Sequence, residues 1–206
     1  MKKKIFAMIA VMALAFVMCS CGSDNGGDAC VQAHQPTDGE QKIVSLLTSA
    51  QADVALVDYT AIEEANCATI GYDLYEKGKL TKKNQECLTG GIGPDSKSGM
   101  IGLSLGREEG FAAIYTDDES TCSAGADTPW KNDKNYEGEI TSQLSEPVAI
   151  ELDKKIYFFG HLENRNSEEM EAVTPDEIMK DKSSLKGIDK AYVYYVKFKH
   201  SKEYEQ

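Results

Sequence analysis

Positive charge is scarce in this chain of 206 residues: 22 lysine and arginine side chains stand against 34 aspartate and glutamate, for a net charge of −12. A protein that grips a nucleic-acid backbone by releasing its counterions needs the reverse balance, so nucleic acid is set aside as a partner. Histidine is also sparse, with His34, His161 and His200 the whole supply and no two at ligand spacing. No cysteine pair has C-x-x-C spacing and only His34, four residues after Cys30, lies near a cysteine, which sets aside a zinc knuckle and a thioredoxin-type redox pair. Phosphate loop, dinucleotide fingerprint, zinc helix and kinase motifs are all missing, so cofactor enzymes lose most of their ground. There is no internal repeat and no coiled-coil heptad. The longest apolar run, Ile5 to Met18, falls short of the about 20 residues that cross a bilayer. What remains is 41% hydrophobic and 27% charged residues, with 8% aromatic. That is the composition of a folded protein with one core, in one domain or at most two small ones.

Met1-Lys2-Lys3-Lys4 followed by the apolar run has the cationic and hydrophobic regions of an export signal. The run ends in Cys19-Ser20-Cys21-Gly22, and the whole resembles the signal of a bacterial lipoprotein, cut before a cysteine that then receives a diacylglyceryl group. Small Ser20 precedes Cys21, whereas bulky Met18 precedes Cys19, so Cys21 is the expected lipidation site. The resemblance covers residues 1–21 only. It implies a membrane anchor and a cell-envelope location without implying a fold or an activity. It also implies the outer membrane if the source is Gram-negative, because Gly22 replaces the aspartate of the inner-membrane retention cue. Residues 1–20 are then the signal peptide, 21–36 the lipidated cysteine and a flexible, glycine-rich tether, and 37–206 a single domain. Cleavage removes three lysines and no acid, so the mature chain is more acidic still. An anionic bilayer surface repels it, and the lipid must do the anchoring.

Cys30, Cys67, Cys87 and Cys122 remain, an even count that in an exported chain predicts disulfides. Of the three connectivities, the preferred one joins Cys67 with Cys87 and Cys30 with Cys122. Gly78 breaks a helical pattern between the first two and would fold two helices back together. Each bridge would be worth about 2 to 4 kcal/mol through the denatured state.

Along the chain, Thr37-Asp38-Gly39-Glu40 has capping-box spacing, and Ile43, Leu46, Leu47, Ala50, Val54 and Val57 follow in helical rhythm. A second box at Thr60 to Glu63 predicts a helix to about Lys77, and a shorter helix is expected over Lys82 to Leu88. Period two then takes over. Met100 to Leu105 and Phe111 to Thr116 read as a hairpin, Thr121 to Gly138 as an acidic loop, and Val148 to Leu152 with Ile156 to Leu162 as a second hairpin. Thr174-Pro175-Asp176-Glu177 starts a helix that ends by Gly187. Ala191 to Lys199 is the last strand, with Tyr192, Tyr194, Val196 and Phe198 on one face. Helices first and then a mostly antiparallel sheet give the expected class, α+β, with N-terminal helices packed on the sheet and disulfides stabilising it.

Gly102-Leu103-Ser104-Leu105-Gly106 fits the nucleophile-elbow pattern, with His161 and His200 later in the chain and Glu151 or Glu163 as carboxylate partners for His161. Ser104, however, sits inside an alternating strand with no oxyanion loop before it. Asp133, Asn135 and Glu137 place oxygens at positions 1, 3 and 5 of a calcium loop, but Leu144 stands where the bidentate glutamate belongs. No other metal ligand set and no other cofactor is expected. Tyr157, Tyr192, Tyr194, Tyr195 and Trp130 suit either an aromatic platform for a sugar or peptide, or cross-strand packing. No catalytic set is coherent. The reading is therefore an envelope-anchored binding or structural domain for a protein, peptide or glycan, and the alternative is a small serine hydrolase centred on Ser104 with His161 or His200. The anchor is directly testable: Cys21→Ser is expected to move the protein from the membrane to the soluble fraction, and membrane retention of the variant overturns the lipoprotein assignment.

Overall fold

A computed structural model describes residues 29–49, 52–93, 97–106, 110–116, 121–126, 136–166 and 170–205. In chain order the elements are β1 (Cys30–Ala33), α1 (Asp38–Ser49), β2 (Asp53–Thr60), β3 (Cys67–Glu76), β4 (Lys79–Gly91), β5 (Ser98–Leu105), β6 (Gly110–Thr116), β7 (Thr121–Ala126), β8 (Gly138–Gln143), β9 (Val148–Ala149), β10 (Lys155–Asn164), α2 (Pro175–Lys180) and β11 (Lys190–Lys199), with a 3-10 turn at Lys182–Leu185 after α2. The strands form two antiparallel sheets, one ordered β7-β6-β5-β2-β1-β9 and the other β4-β3-β11-β10-β8. Val57, Tyr59, Ile101, Leu103 and Ile114 of the first sheet share a core with Ile70, Tyr72, Tyr194, Val196 and Phe198 of the second. The fold is thus a pair of packed sheets, and the expected α+β arrangement with N-terminal helices on one sheet is not formed.

The helix expected over Thr60 to Lys77 is mostly β3. Ala68, Ile70, Tyr72 and Leu74 alternate toward the core, a period-two signal that outweighs the capping spacing at Thr60. Gly78, read from the sequence as a helix stop, is the second central residue of a hairpin turn. Lys77 and Gly78 have φ of 51° and 72°, and Glu76 pairs with Lys79 across them. Positive φ at both central residues is the two-residue turn that matches strand twist. The shorter helix expected after it is β4, an edge strand whose exposed lysines discourage pairing with another chain.

α1 does begin where the capping box predicts. The Glu40 carboxylate accepts hydrogen bonds from the Thr37 amide and hydroxyl, both at 2.7 Å. It ends at Ser49 because the valines expected on its later turns belong to β2, where Val57 is buried in the core. None of α1 is buried. Val148 and Ala149 pair with β1, not with β10, so the expected second hairpin does not exist. β7 occupies the start of the expected acidic loop, and residues 127–135 lie outside those described. β1 falls within the stretch expected to be tether.

β11 matches its expected alternation. Tyr192, Tyr194, Val196 and Phe198 face the core between the sheets, while Ala191, Val193 and Tyr195 face a second cluster closed by Ile178 of α2 and Leu185 of the 3-10 turn. α2 is fixed at its start by the Glu177 carboxylate, which accepts from the Thr174 amide at 2.8 Å. Asp176 ties it to the end of β8 by accepting from the Ser145 hydroxyl at 2.9 Å.

No disulfide joins the described cysteines: Cys30, Cys67, Cys87 and Cys122 are all thiols. Register explains why. Cys67 lies opposite Gly91, and Cys87 is four residues back along β4, roughly 14 Å at about 3.4 Å per residue. Cys30 on β1 and Cys122 on β7 are separated by β2, β5 and β6, roughly 19 Å at about 4.8 Å per strand step. A disulfide needs Cα atoms within about 7 Å. The thermal midpoint of the full chain is therefore expected to be the same with and without a thiol reductant, and a fall on reduction contradicts the thiol assignment.

Candidate ligand-binding site

Asp73 is the one acid in the apolar run Ile70 to Tyr75, and it is 1% exposed. Opposite it the β3–β4 ladder slips. Tyr72 pairs with Gln85 and Leu74 with Lys82, so Lys83 and Asn84 together face Asp73. Such a bulge re-aims side chains and frees a backbone amide from the ladder. Here the Asn84 amide donates to Asp73 Oδ1 at 2.8 Å, with Asn84 at φ 55°. Lys155 Nζ reaches both Asp73 oxygens at 2.6 Å, and the Tyr157 hydroxyl donates to Oδ2 at 2.6 Å. Tyr75 OH is 3.2 Å from Tyr157 OH, and Lys155 Nζ lies 4.1 Å above the Tyr195 ring, a cation–π contact. A buried carboxylate is tolerable only when satisfied in this way.

This cluster is the floor of a polar cavity of about 730 Å³ on the outer face of the second sheet, beside α2. Lys83, Lys154, Lys155, Lys182 and Lys197 line it, with Glu151 and Asp153. Lys154 is ion-paired with Glu151, and Asp153 has φ 60°, a second left-handed non-glycine on the same rim. Burial pulls the Lys155 ammonium below the usual lysine range against the pull of Asp73, and Lys83 and Lys197 push it further down. Lys197 is lowered by its own burial and then by Lys199. Burial, followed by the Asp73 carboxylate, raises the Tyr157 phenol far above its ordinary value, so it stays a donor. Positive charge is thus concentrated, partly desolvated, in one hollow of an acidic protein.

The residues expected to be functional are dispersed. Ser104 lies within β5, paired with Val54 and Phe111, and the chain goes on to β6 where an elbow requires a helix. It forms part of an apolar groove between α1 and the outer face of the first sheet, with Ile43, Leu47 and Tyr115. His200 is engaged elsewhere, Nδ1 at 3.0 Å from the Glu64 carbonyl and Nε2 at 3.1 Å from Glu205. The hydrogen bond to the carbonyl, then that to Glu205, raises its pKa.

His161 is buried between the sheets, 2% exposed, with Nε2 at 3.6 Å from Glu163 Oε1 and Nδ1 at 3.5 Å from Asp53 Oδ2. These are ion-pair distances, too long for well-formed hydrogen bonds. Burial disfavours its charged form, but the two carboxylates prevail and its pKa is raised. Of its two expected partners, Glu163 is present and Glu151 is not. Asp133 and Asn135 lie outside the described residues, as do Cys21 and Trp130, and Glu137 is exposed with its amide donating to the Asn164 carbonyl. Tyr157, Tyr192, Tyr194 and Tyr195 are 5% exposed or less, which makes them core and no platform.

No family model, no curated protein and no solved structure matches the chain. The site is therefore defined by its own geometry. Sequence reading missed Asp73 and the lysines because they are scattered over β3, β4, β10, β11 and the turn after α2. The one visible signal was a lone acid inside an apolar, alternating run. Removing the charge of Asp73 takes the anion from a largely buried Lys155, which keeps only the Tyr195 ring and the cavity water, so Asp73→Asn is expected to cost about 3 kcal/mol of unfolding free energy. Tyr157→Phe, which removes a single hydrogen bond, is expected to cost about 1.5 kcal/mol. Urea unfolding of both variants checks the ranking, and equal small losses contradict it.

Proposed function

We propose that the protein is a lipid-anchored binding domain of the bacterial cell envelope whose lysine-lined cavity takes an acidic glycan. The observation that carries this reading is the collection of Lys83, Lys154, Lys155, Lys182 and Lys197 around one hollow of a chain whose net charge is −12. Lys155 is paired with Asp73 and Lys154 with Glu151, but with Asp153 the only other acid in the lining the five ammonium groups still outnumber the three carboxylates, and an anion would balance the excess. A sugar bearing carboxylates suits the lining better than a run of acidic peptide. Its anionic groups meet the ammonium groups, while its hydroxyls donate to Asp153 and Glu151 on the rim. Irregularities at Lys83–Asn84 and at Phe158 set Lys83 and Lys155 outward on the sheet beside Lys197, while Lys154 and Lys182 reach in from the turns before β10 and after α2. Sites built on strands hold their geometry better than sites on mobile loops. The lipidated Cys21 and the polar segment after it would hold the domain at the membrane while leaving this face turned to the surrounding polymer.

Calorimetric titration of the full chain with an oligogalacturonate tests the reading. Saturable binding that weakens with salt is expected, with no binding of a neutral dextran oligosaccharide of the same length. Lys83→Glu with Lys182→Glu, both at exposed positions, is expected to lower the affinity at least about tenfold, the equivalent of about 1.4 kcal/mol. Equal affinity for the neutral sugar, or none for the acidic one, overturns it.

A further inference from the structure

We propose that His161, Glu163 and Glu139 form a site for one divalent transition-metal ion, with zinc the ion that best fits the donor set. The site is independent of the lysine cavity. The irregularity at Phe158 turns β10 over, so Lys155 and Tyr157 face outward whereas His161 and Glu163 face the space between the sheets.

Glu163 of β10 lies directly opposite Glu139 of β8. Two like charges opposite each other destabilise a ladder unless something lies between them. Glu163 is 1% exposed, and its Oε2 accepts no hydrogen bond among the described residues. A buried carboxylate oxygen in that condition calls for a cation, because buried charges are paired or bind metals. Lys190 flanks Glu163 on β11, with Nζ over the Tyr136 ring at 5.0 Å. One ligand atom each from Glu139, His161 and Glu163 lie within 4.8 Å of one another.

The spacing fits an ion. Bonds of about 2.1 Å place neighbouring tetrahedral donors about 3.4 Å apart, and His161 Nε2 is 3.6 Å from Glu163 Oε1. Asp53 Oδ2, across the sandwich on β2, faces the other ring nitrogen at 3.5 Å. A carboxylate behind the far nitrogen of a histidine is the usual outer partner of a metal-bound imidazole, and it leaves Nε2 as the ligand atom. Glu139 is exposed, so a small rotation of its side chain closes the third bond. Imidazole with carboxylate suits zinc and its neighbours, whereas calcium and magnesium take oxygen alone. Three protein donors leave a position for water.

The test is metal binding by the chelator-treated full chain. Equilibrium dialysis is expected to show one tightly held Zn²⁺, the thermal midpoint is expected to rise with Zn²⁺ and fall back with chelator, and Co²⁺ in its place is expected to give the visible bands of a low-coordinate complex. Glu139→Gln, which removes the like charge opposite Glu163, should raise or at least not lower the metal-free midpoint and weaken Zn²⁺ at least about tenfold. Asp53→Asn should weaken it about 10- to 100-fold as an outer partner. His161→Asn and Glu163→Gln should abolish uptake. These buried positions are judged only if circular dichroism shows the native fold, and otherwise Glu139→Gln decides. No saturable Zn²⁺ uptake, or uptake undiminished by Glu139→Gln, overturns the site.

Discussion

β11 carries apolar side chains on both faces, and most of the structure follows from the need to bury both. A strand that is wet on one side can end a fold, but one with Tyr194 and Phe198 on one face and Val193 and Tyr195 on the other needs a layer above and a layer below. The first sheet supplies one layer and α2 with its 3-10 turn the other. β3 and β10 flank β11 and inherit its two-sided burial, so the five-stranded sheet is the rigid middle of the molecule. Among the described residues, the first sheet is packed mainly from within. Its outer face meets α1, which buries nothing, and Leu46 of that helix remains 71% exposed.

Both polar clusters are consequences of that middle layer. A charge inside a doubly covered sheet has no water, so it must find protein partners. Asp73 does this through a bulge, which takes the Asn84 amide out of the ladder and brings Lys155 and Tyr157 onto one carboxylate. His161 and Glu163 lie near the far end of β10, where the start of β2 in the facing sheet offers Asp53. One outward cluster collects positive charge and one inward cluster collects negative charge, on opposite faces of the same strand. The irregularity at Phe158 makes the two faces serve different ends.

The sequence was legible where local chemistry and tertiary demand agreed. The capping box at Thr37, the proline-started helix at Thr174, the hairpin arms before Leu105 and after Gly110, and the two-faced pattern of the last strand all appear where they were expected. It misled where two periods competed. Residues 60–77 carry a capping-box spacing and also alternate at Ala68, Ile70, Tyr72 and Leu74. The alternation won because β11 offered a ladder along the whole length of β3. The disulfides failed for a related reason, since their preferred pairing rested on a helical hairpin that is a β hairpin. Glu163 was one of two carboxylates offered for His161, and it is the one present because β10 runs on to Asn164, where i and i+2 share a face. Glu139 was not legible, because its place opposite Glu163 depends on register.

The sequence by itself determined the charge balance, the lipoprotein-like first residues, the caps of both helices and the two-sided apolarity of β11, since each depends on neighbours within a few residues. Only the tertiary structure decided that segments with helical rhythm become strands, that Cys67 and Cys87, like Cys30 and Cys122, stay apart, and that Asp73 meets Lys155 and Glu139 meets Glu163. Those outcomes rest on hydrogen-bond register between strands distant in the chain, where a slip of one residue turns every side chain to the other face.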